Sequence, residues 1–324
     1  MTPRGWAFAV LAVLVVLAAT VALRRLPRRR PPAPLADRRA ALASLPAEDV
    51  VRGRAFRRAL RPPGYASRAL SLVAVLLLGL TSLGARIVGA VGGNWAARAV
   101  VGGLAVVFLA GLVTLPLAAW RETIMRGYGL STQRWGGWLL DVLKGYAVGA
   151  VLGAIALLGF YAIARYAPQW WWAWAGLGAA ALTVLLSFVF PVLVEPIFNK
   201  FTPMAGGALR DTLLGLAERD RVPVKDVLVA DASRRTRAVN AYVSGLGPTR
   251  RIVVYDTLLD RADPAEVASV VAHELGHARD GDVVTGTVLG ALSAAGAVIL
   301  VYLVGSWHGL VRLAGVDSVA DPRS

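Results

Sequence analysis

Long runs of apolar residues alternate with basic, proline-rich or mixed segments along this chain. Six of the runs reach the roughly 20 residues that a helix needs to cross the hydrocarbon layer of a membrane. They lie at about 6–23, 69–91, 99–120, 143–164, 170–194 and 283–306. The pattern therefore predicts a mainly α, polytopic helical membrane protein with about six transmembrane helices.

The segments between these runs differ in character. The stretch 24–68 is rich in Arg and Pro, and a basic surface helix within it, around 50–60, is expected to face anionic lipid rather than to bind a specific partner. Three successive tryptophans, 170–172, are typical of an interfacial belt.

The predicted domains are an N-terminal transmembrane anchor (1–23), a basic cytoplasmic loop (24–68), transmembrane helices two to five (69–194), a cytoplasmic α+β segment (195–282), transmembrane helix six (283–306) and a short tail (307–324).

The segment 195–282 predicts a small α+β insert. A helix is expected over 207–219, and the β-branched runs 224–230, 240–245 and 251–255 are typical of short strands. A polar turn at 231–237 and the pair Gly247-Pro248 separate the strands. The arginines of that turn are interpreted as a solvated cluster facing anionic lipid, with a substrate carboxylate as the alternative partner.

Composition supports the membrane class. Hydrophobic residues make up 56% of the chain, charged residues 17%, and the mean hydropathy is +0.59. The net charge of +15 does not indicate a nucleic-acid partner, because the basic residues concentrate beside the apolar runs. The chain has no cysteine, so a thiol nucleophile and Cys-ligated zinc are excluded, and His and carboxylates remain as protein ligands for a metal.

The distribution of arginine and lysine predicts the orientation in the membrane. Segments after spans one, three and five carry 13, 4 and 12 of these residues, against 6 on the other side, which places these three segments in the cytoplasm. The ratio of 32 Arg to 3 Lys indicates a GC-rich, bacterial source. We therefore expect a multi-pass protein of a bacterial cell membrane.

The sequence His273-Glu274-Leu275-Gly276-His277 carries the candidate chemistry. On a helix, residues four apart differ by about 400° and roughly 6 Å, so both imidazoles leave one face and can bind one zinc ion per chain. Glu274 points about 100° away, which suits a general base that acts on water rather than a metal ligand. The alternative is a pair of histidines that only hydrogen-bond inside a polar core.

The flanking residues predict that this motif is helical. Asp263 is a candidate N-cap, followed by Pro264 at the first helical position and Glu266 at the third. Gly281 marks the expected end of the helix. Upstream, Asn240 and Ala241 begin a strand that can present an unpaired edge to an extended peptide substrate. The alternative is an ordinary edge strand with a β-bulge at Gly245.

Several motifs resemble those of the integral-membrane zinc metallopeptidases that include the type-1 CAAX prenyl protease. The resemblance covers about residues 120–324, and its motifs are 126–132 (RGYGLST), 195–201 (EPIFNKF), 240–242 (NAY), 253–259 (VVYDTLL) and the HELGH box. It implies helices that enclose a chamber with a cytosol-side zinc site that hydrolyses peptide bonds. It also implies His273 and His277 as metal ligands, Glu274 as catalytic base, and Asn240 and Ala241 as part of the substrate-binding strand.

Two departures from the family pattern stand out. Family members commonly carry a histidine where this chain has Asp282, and they take a third zinc ligand from a later Glu, whereas no Glu follows Glu274 here. His308 is expected on the opposite membrane face, and Asp280 lies next to the end of the helix. We therefore expect the sequence to be a fragment or a prematurely ended gene model, which sequencing of the locus beyond its last residue would test.

The leading functional hypothesis is a membrane-embedded zinc endopeptidase that cleaves membrane-associated or prenylated-type proteins at the cytoplasmic face. The alternative is a catalytically inactive scaffold or chaperone-like protein that retains the peptidase fold. A transporter is disfavoured because the apolar runs lack acidic residues away from their ends. The expected partners are a peptide or protein substrate and the lipid bilayer; the substrate's identity and the oligomeric state stay open.

Overall fold

The computed structural model describes residues 2–25, 34–43, 46–307 and 309, most of them in helices. The α-helices, in chain order, are α1 (Pro3–Arg25), α2 (Leu35–Ala43), α3 (Ala47–Leu80), α4 (Ser82–Gly89), α5 (Trp95–Ala97), α6 (Gly103–Gly127), α7 (Trp135–Tyr166), α8 (Trp171–Val189), α9 (Glu195–Phe198), α10 (Ala208–Arg219), α11 (Asp256–Leu259), α12 (Pro264–Asp280) and α13 (Asp282–Gly305). Two π-helical turns, Arg98–Gly102 and Phe190–Val194, join α5 to α6 and α8 to α9.

Six helical units in this part of the chain are long and apolar enough to cross a membrane, which confirms the predicted number. They are Pro3–Arg24, Ala47–Leu80, Trp95–Gly127, Trp135–Tyr166, Trp171–Phe198 and Asp282–Gly305. Many of their large apolar side chains are exposed, as a lipid environment requires. The polytopic helical fold predicted from the hydrophobic pattern is therefore confirmed.

The basic helix predicted around residues 50–60 is confirmed, but it extends well beyond its expected bounds in the segment 24–68. Residues from Ala47 onward belong to α3, which continues without interruption into the second span and contains Pro62 and Pro63. A proline inside a helix removes one hydrogen bond and usually bends the axis. In this structure the helix continues through both prolines, Pro63 is buried, and α3 packs against α6.

The tryptophan belt is also largely wrong. Trp171 and Trp172 are buried between α8, α1 and α13, where Trp172 stacks on Tyr302 with ring centroids 5.7 Å apart. Only Trp170, which precedes α8, is exposed. Successive helical residues point about 100° apart, so three adjacent tryptophans cannot all project from the same side of the helix.

The α+β insert contains a four-stranded sheet. The strands are β1 (Phe201–Pro203), β2 (Val227–Ala230), β3 (Ala241–Ser244) and β4 (Arg251–Tyr255), in the spatial order β1-β2-β4-β3. β2 and β4 are parallel, and the other two pairs are antiparallel. The sequence predicted the last three strands but not β1, which is too short to show a pattern. β3 is an edge strand, as expected, and its pairing with β4 has no bulge.

The sheet and the helix of the HELGH motif share one hydrophobic core. α10 and α12 pack against the strands, and four residues of α12 are buried there: Val267, Val271, Leu275 and Ala278. Their spacing of four, four and three residues forms a single stripe along α12. The opposite face of α12 is left open, and both motif histidines project from it.

The turn 231–237 attaches the insert to the membrane helices. Ser131 and Thr236 form a β-bridge, Arg235 pairs with Asp141 at 3.0 Å, and Arg234 pairs with Asp231 at 3.4 Å. The interpretation of this turn as a solvated cluster is therefore wrong for Arg235, which is partly buried against Asp141, whereas Arg234 is exposed as expected.

Candidate metal centre

The N-terminus of α12 is held by the capping box that the sequence predicted. Oδ1 of Asp263 accepts hydrogen bonds from the amides of Ala265 at 2.8 Å and Glu266 at 2.9 Å. Oε2 of Glu266 accepts a hydrogen bond from the Asp263 amide at 3.0 Å. Since Pro264 occupies the first helical position, the start of the helix, and with it the rotation of every later side chain, is fixed.

The two motif histidines converge on one point. Their Nε2 atoms are 3.2 Å apart, and the ring centroids are separated by 4.7 Å with the planes nearly perpendicular. Tetrahedral zinc with Zn–N distances of about 2.0–2.1 Å would separate two ligand nitrogens by roughly 3.3 Å. Both rings are exposed, so they are not a hydrogen-bonded pair inside a polar core. His273 and His277 therefore fit two adjacent ligand positions of a zinc ion.

Asp282 orients the second ligand. Its Oδ2 lies 2.6 Å from Nδ1 of His277. An ionised carboxylate only accepts, so Nδ1 carries the proton and the lone pair of Nε2 points towards His273. The same hydrogen bond raises the pKa of His277 above its usual value. Because Asp282 occupies the far side of the ring, it serves as an outer partner rather than as a third ligand.

A third metal ligand is not found in the described part of the chain. Over residues 2–25, 34–43, 46–307 and 309, no group of three or more His, Asp or Glu side chains is arranged to hold a metal ion. His308, considered above as a distant candidate, lies outside the described residues.

Glu274 lines a small cavity beside the ring of His277. The cavity has a volume of about 80 Å³ and lies between α12, β3 and the start of α13. Its lining residues are Val243, Gly245, Arg250, Glu274, His277, Ala278, Gly281, Val283 and Val284. Glu274 thus lines the same cavity as His277, a placement that fits the expected general base beside a candidate metal ligand.

The edge strand packs against α12, close to the rings. Asn240, which precedes β3, is exposed, whereas the side chain of Ala241 is buried in the sheet core. Ala241 can therefore meet a substrate only through its backbone, and the substrate-binding role of both residues stays a prediction. Val243 and Gly245, further along the chain, line the cavity.

Sequence reasoning missed two residues at this site. Asp282 was noted as a departure from the family pattern, and its spacing of five residues from His277 was the available signal. Arg250 was not singled out at all. It is one of two adjacent arginines, and the sequence does not tell which of them faces the cavity.

We expect Asp282→Ala to weaken zinc binding by about 10- to 100-fold, because His277 loses the partner that fixes its tautomer and ring orientation. Asp282→Asn keeps an acceptor and should lose less. Competition with a chelating dye at constant pH measures the affinity. The control is Asp211→Ala, because Asp211 is an exposed aspartate in the first turn of α10 and does not line the cavity next to His277. Equal losses in the two alanine variants would contradict the orienting role.

Comparison with known proteins agrees with this geometry. A family model described as CAAX prenyl protease N-terminal, five membrane helices, matches residues 64–200, and one described as Peptidase family M48 matches residues 203–319. The chain resembles the uncharacterized metalloprotease YhfN of Bacillus subtilis, with 32% identity over 166 residues, which are 51% of this chain and 39% of that protein. A CAAX prenyl protease 1 homolog of Arabidopsis thaliana is 32% identical over 182 residues, 52% of this chain and 42% of that protein.

A solved structure shares the fold. The crystal structure of Ste24p from S. mikatae superimposes with a TM-score of 0.73 at 22% identity, covering 94% of this chain and 71% of that one. The matched part of the chain spans about two fifths of the length of the curated relatives.

Proposed function

The chain belongs to the M48 family of membrane metallopeptidases, and from that premise we propose that it is a zinc-dependent endopeptidase acting on membrane-associated proteins. The observation that carries the proposal is the convergence of the two Nε2 atoms at 3.2 Å, with Glu274 beside them on a cavity next to an edge strand. A pair of candidate zinc ligands, a candidate base and a backbone-binding edge are three of the parts that zinc-dependent peptide hydrolysis uses.

Each residue has a defined task in this proposal. His273 and His277 hold one zinc ion, and Asp282 keeps the His277 ring in the orientation that the metal needs. When bound, zinc supplies Lewis-acid chemistry that polarises the scissile carbonyl. The carboxylate of Glu274 takes a proton from the attacking water and passes it to the nitrogen of the leaving amine. The free edge of β3 holds the substrate in an extended conformation through backbone hydrogen bonds.

The position of the site supports a membrane-associated substrate. Asp282, which orients a metal ligand, is also the first residue of the sixth membrane helix. The centre therefore lies where an apolar span begins, within reach of proteins held at the bilayer surface. Relatives named CAAX prenyl proteases favour prenylated-type substrates, and damaged membrane proteins are the second class to test. The excess of arginine after the odd-numbered spans supports a cytoplasmic site in a bacterial cell membrane.

The test is metal-dependent hydrolysis by the purified protein. We expect one zinc per chain, cleavage of membrane-anchored peptides, loss of cleavage after removal of zinc by a chelator, and recovery on addition of one equivalent of zinc. Protein that takes up no zinc and cleaves none of these peptides even after zinc is added would contradict the proposal and would favour the inactive scaffold with a peptidase fold.

A further inference from the structure

Arg250 places a positive charge in the cavity beside Glu274 and His277. The side chain is partly buried, and its guanidinium group has no hydrogen-bond or ion-pair partner among the described residues. Its neighbour Arg251 differs, because it points to the other side of β4, donates to the carbonyl of Pro191 and pairs with Glu195 at 3.6 Å. A partly desolvated arginine without a partner is costly unless a ligand completes its hydrogen bonds.

The backbone fixes the position of Arg250. Gly245 ends β3 with a φ of +88°, and a Cβ atom there would lie 2.5 Å from the carbonyl oxygen of Thr249. Thr249 Oγ1 closes the turn by accepting from the Leu246 amide and donating to its carbonyl. The Arg250 amide donates to Gly247, and its carbonyl accepts from Lys225 at 2.8 Å. The arginine is thus held on a rigid tight turn next to the edge strand.

The remaining lining residues and the volume of the cavity limit the size and chemistry of the group that can bind there. Apart from Glu274 and His277, the lining side chains are apolar: Val243, Ala278, Val283 and Val284. At about 10–15 Å³ per atom-sized sphere, a volume of 80 Å³ admits roughly six non-hydrogen atoms. That is enough for the side chain of Asp or Glu, and apolar walls strengthen a charged contact with the guanidinium.

Glu274 restricts where such a group can bind. Within the described residues, no ion pair links Glu274 to Arg250, so their charges are not already neutralised by direct contact. A second carboxylate close to Glu274 is disfavoured by repulsion. A substrate carboxylate therefore binds at the Arg250 end of the cavity, with its apolar stem against the valines.

We propose that Arg250 is a specificity-determining residue, and that this cavity takes a carboxylate-bearing group of the substrate next to the scissile bond. The proposal rests on the proposed peptidase function. The carboxylate has two possible sources, an Asp or Glu side chain and the C-terminus of the substrate, and both satisfy the same fork of guanidinium donors.

The first experiment profiles cleavage. A mixed peptide library, with free-acid and amidated C-termini, is digested by the wild-type protein, Arg250→Gln and Arg250→Glu, and the cleaved bonds are identified by mass spectrometry. The wild type should favour Asp over Asn, or Glu over Gln, by at least about 10-fold at one position beside the cleaved bond. If the C-terminus is the source, the preference appears instead between free acid and amide. Arg250→Gln should bring the ratio close to one, and Arg250→Glu should favour Lys and Arg.

The matched control is Arg219→Glu, because Arg219 is an exposed arginine at the end of α10, away from the cavity. It should leave the acidic preference of the wild type unchanged. An acidic preference that persists in Arg250→Gln would overturn the proposal. A reversed preference in Arg250→Glu cannot arise from misfolding, because a damaged protein does not gain a new specificity.

A binding measurement distinguishes a failure of the role proposed for Arg250 from a failure of the proposed peptidase function. The affinities of fluorescent acidic and amide peptides are compared for Glu274→Gln with and without Arg250→Gln. A preference of about 10-fold for the acidic peptide, lost when Arg250 is replaced, would support the proposed role of the cavity. That conclusion would hold even if the wild type cleaves no peptide, a result that would contradict only the peptidase function. Equal affinities for both peptides would overturn the inference and leave the peptidase function standing.

Discussion

Replacement of Glu274 by Gln is expected to lower kcat for peptide hydrolysis by about 10²- to 10⁴-fold while zinc content stays at the wild-type level. The amide is nearly isosteric with the carboxylate, but it cannot accept the proton of the attacking water. Glu274 lines the cavity next to His277, whereas the two Nε2 atoms meet each other at 3.2 Å, so we expect the neutral amide to leave both candidate ligands in place. Steady-state kinetics and metal analysis of the same preparation measure the two quantities.

The chain offers a close control on the same helix. Glu266→Gln makes the identical chemical change in the capping box, where Gln can also bond back to the Asp263 amide. We expect it to retain both zinc and turnover. Undiminished turnover by Glu274→Gln would remove Glu274 from the role of general base, and loss of zinc in that variant would assign it to the metal instead.

The prediction of the zinc helix from sequence worked because every signal is local. The N-cap at Asp263, the proline after it, the histidine spacing and the left-handed Gly281 all act within one or two turns, and the structure places the helix at 264–280. The apolar spans were predictable for a similar reason, since the length that crosses a membrane is a property of each segment alone.

The features that were predicted wrongly or missed depend on contacts between distant segments, which a local sequence pattern does not encode. Whether residues 47–68 continue a helix depends on packing against α6, and whether Trp172 faces lipid or Tyr302 depends on which helix lies beside it. The partnership of Asp282 with His277 requires the turn at Gly281, with φ of +72°, to bring the start of α13 beneath the ring. The sequence named the two candidate metal ligands but not Asp282, which contacts the ring of one of them.

α12 serves both the fold and the site through two different faces. Leu275 lies between the two histidines in sequence, but two residues on a helix correspond to about 200°, so its side chain points away from both rings. It is fully buried against the sheet together with Val267 and Val271. The core contacts of one face therefore set the rotation of the helix and hold the metal ligands on the other.

We expect Leu275→Ala to lower the opening free energy of α12 by about 2–5 kcal/mol, because it removes a fully buried leucine from the core and leaves a cavity under the metal site. Hydrogen exchange of the α12 amides measures this change, and zinc affinity should fall with it because the ligand axis is no longer held. Val270→Ala is the matched control, since Val270 is 36% exposed on the same helix and should change the opening free energy by less than about 1 kcal/mol. Equal protection in the two variants would show that the sheet core does not support the metal ligands.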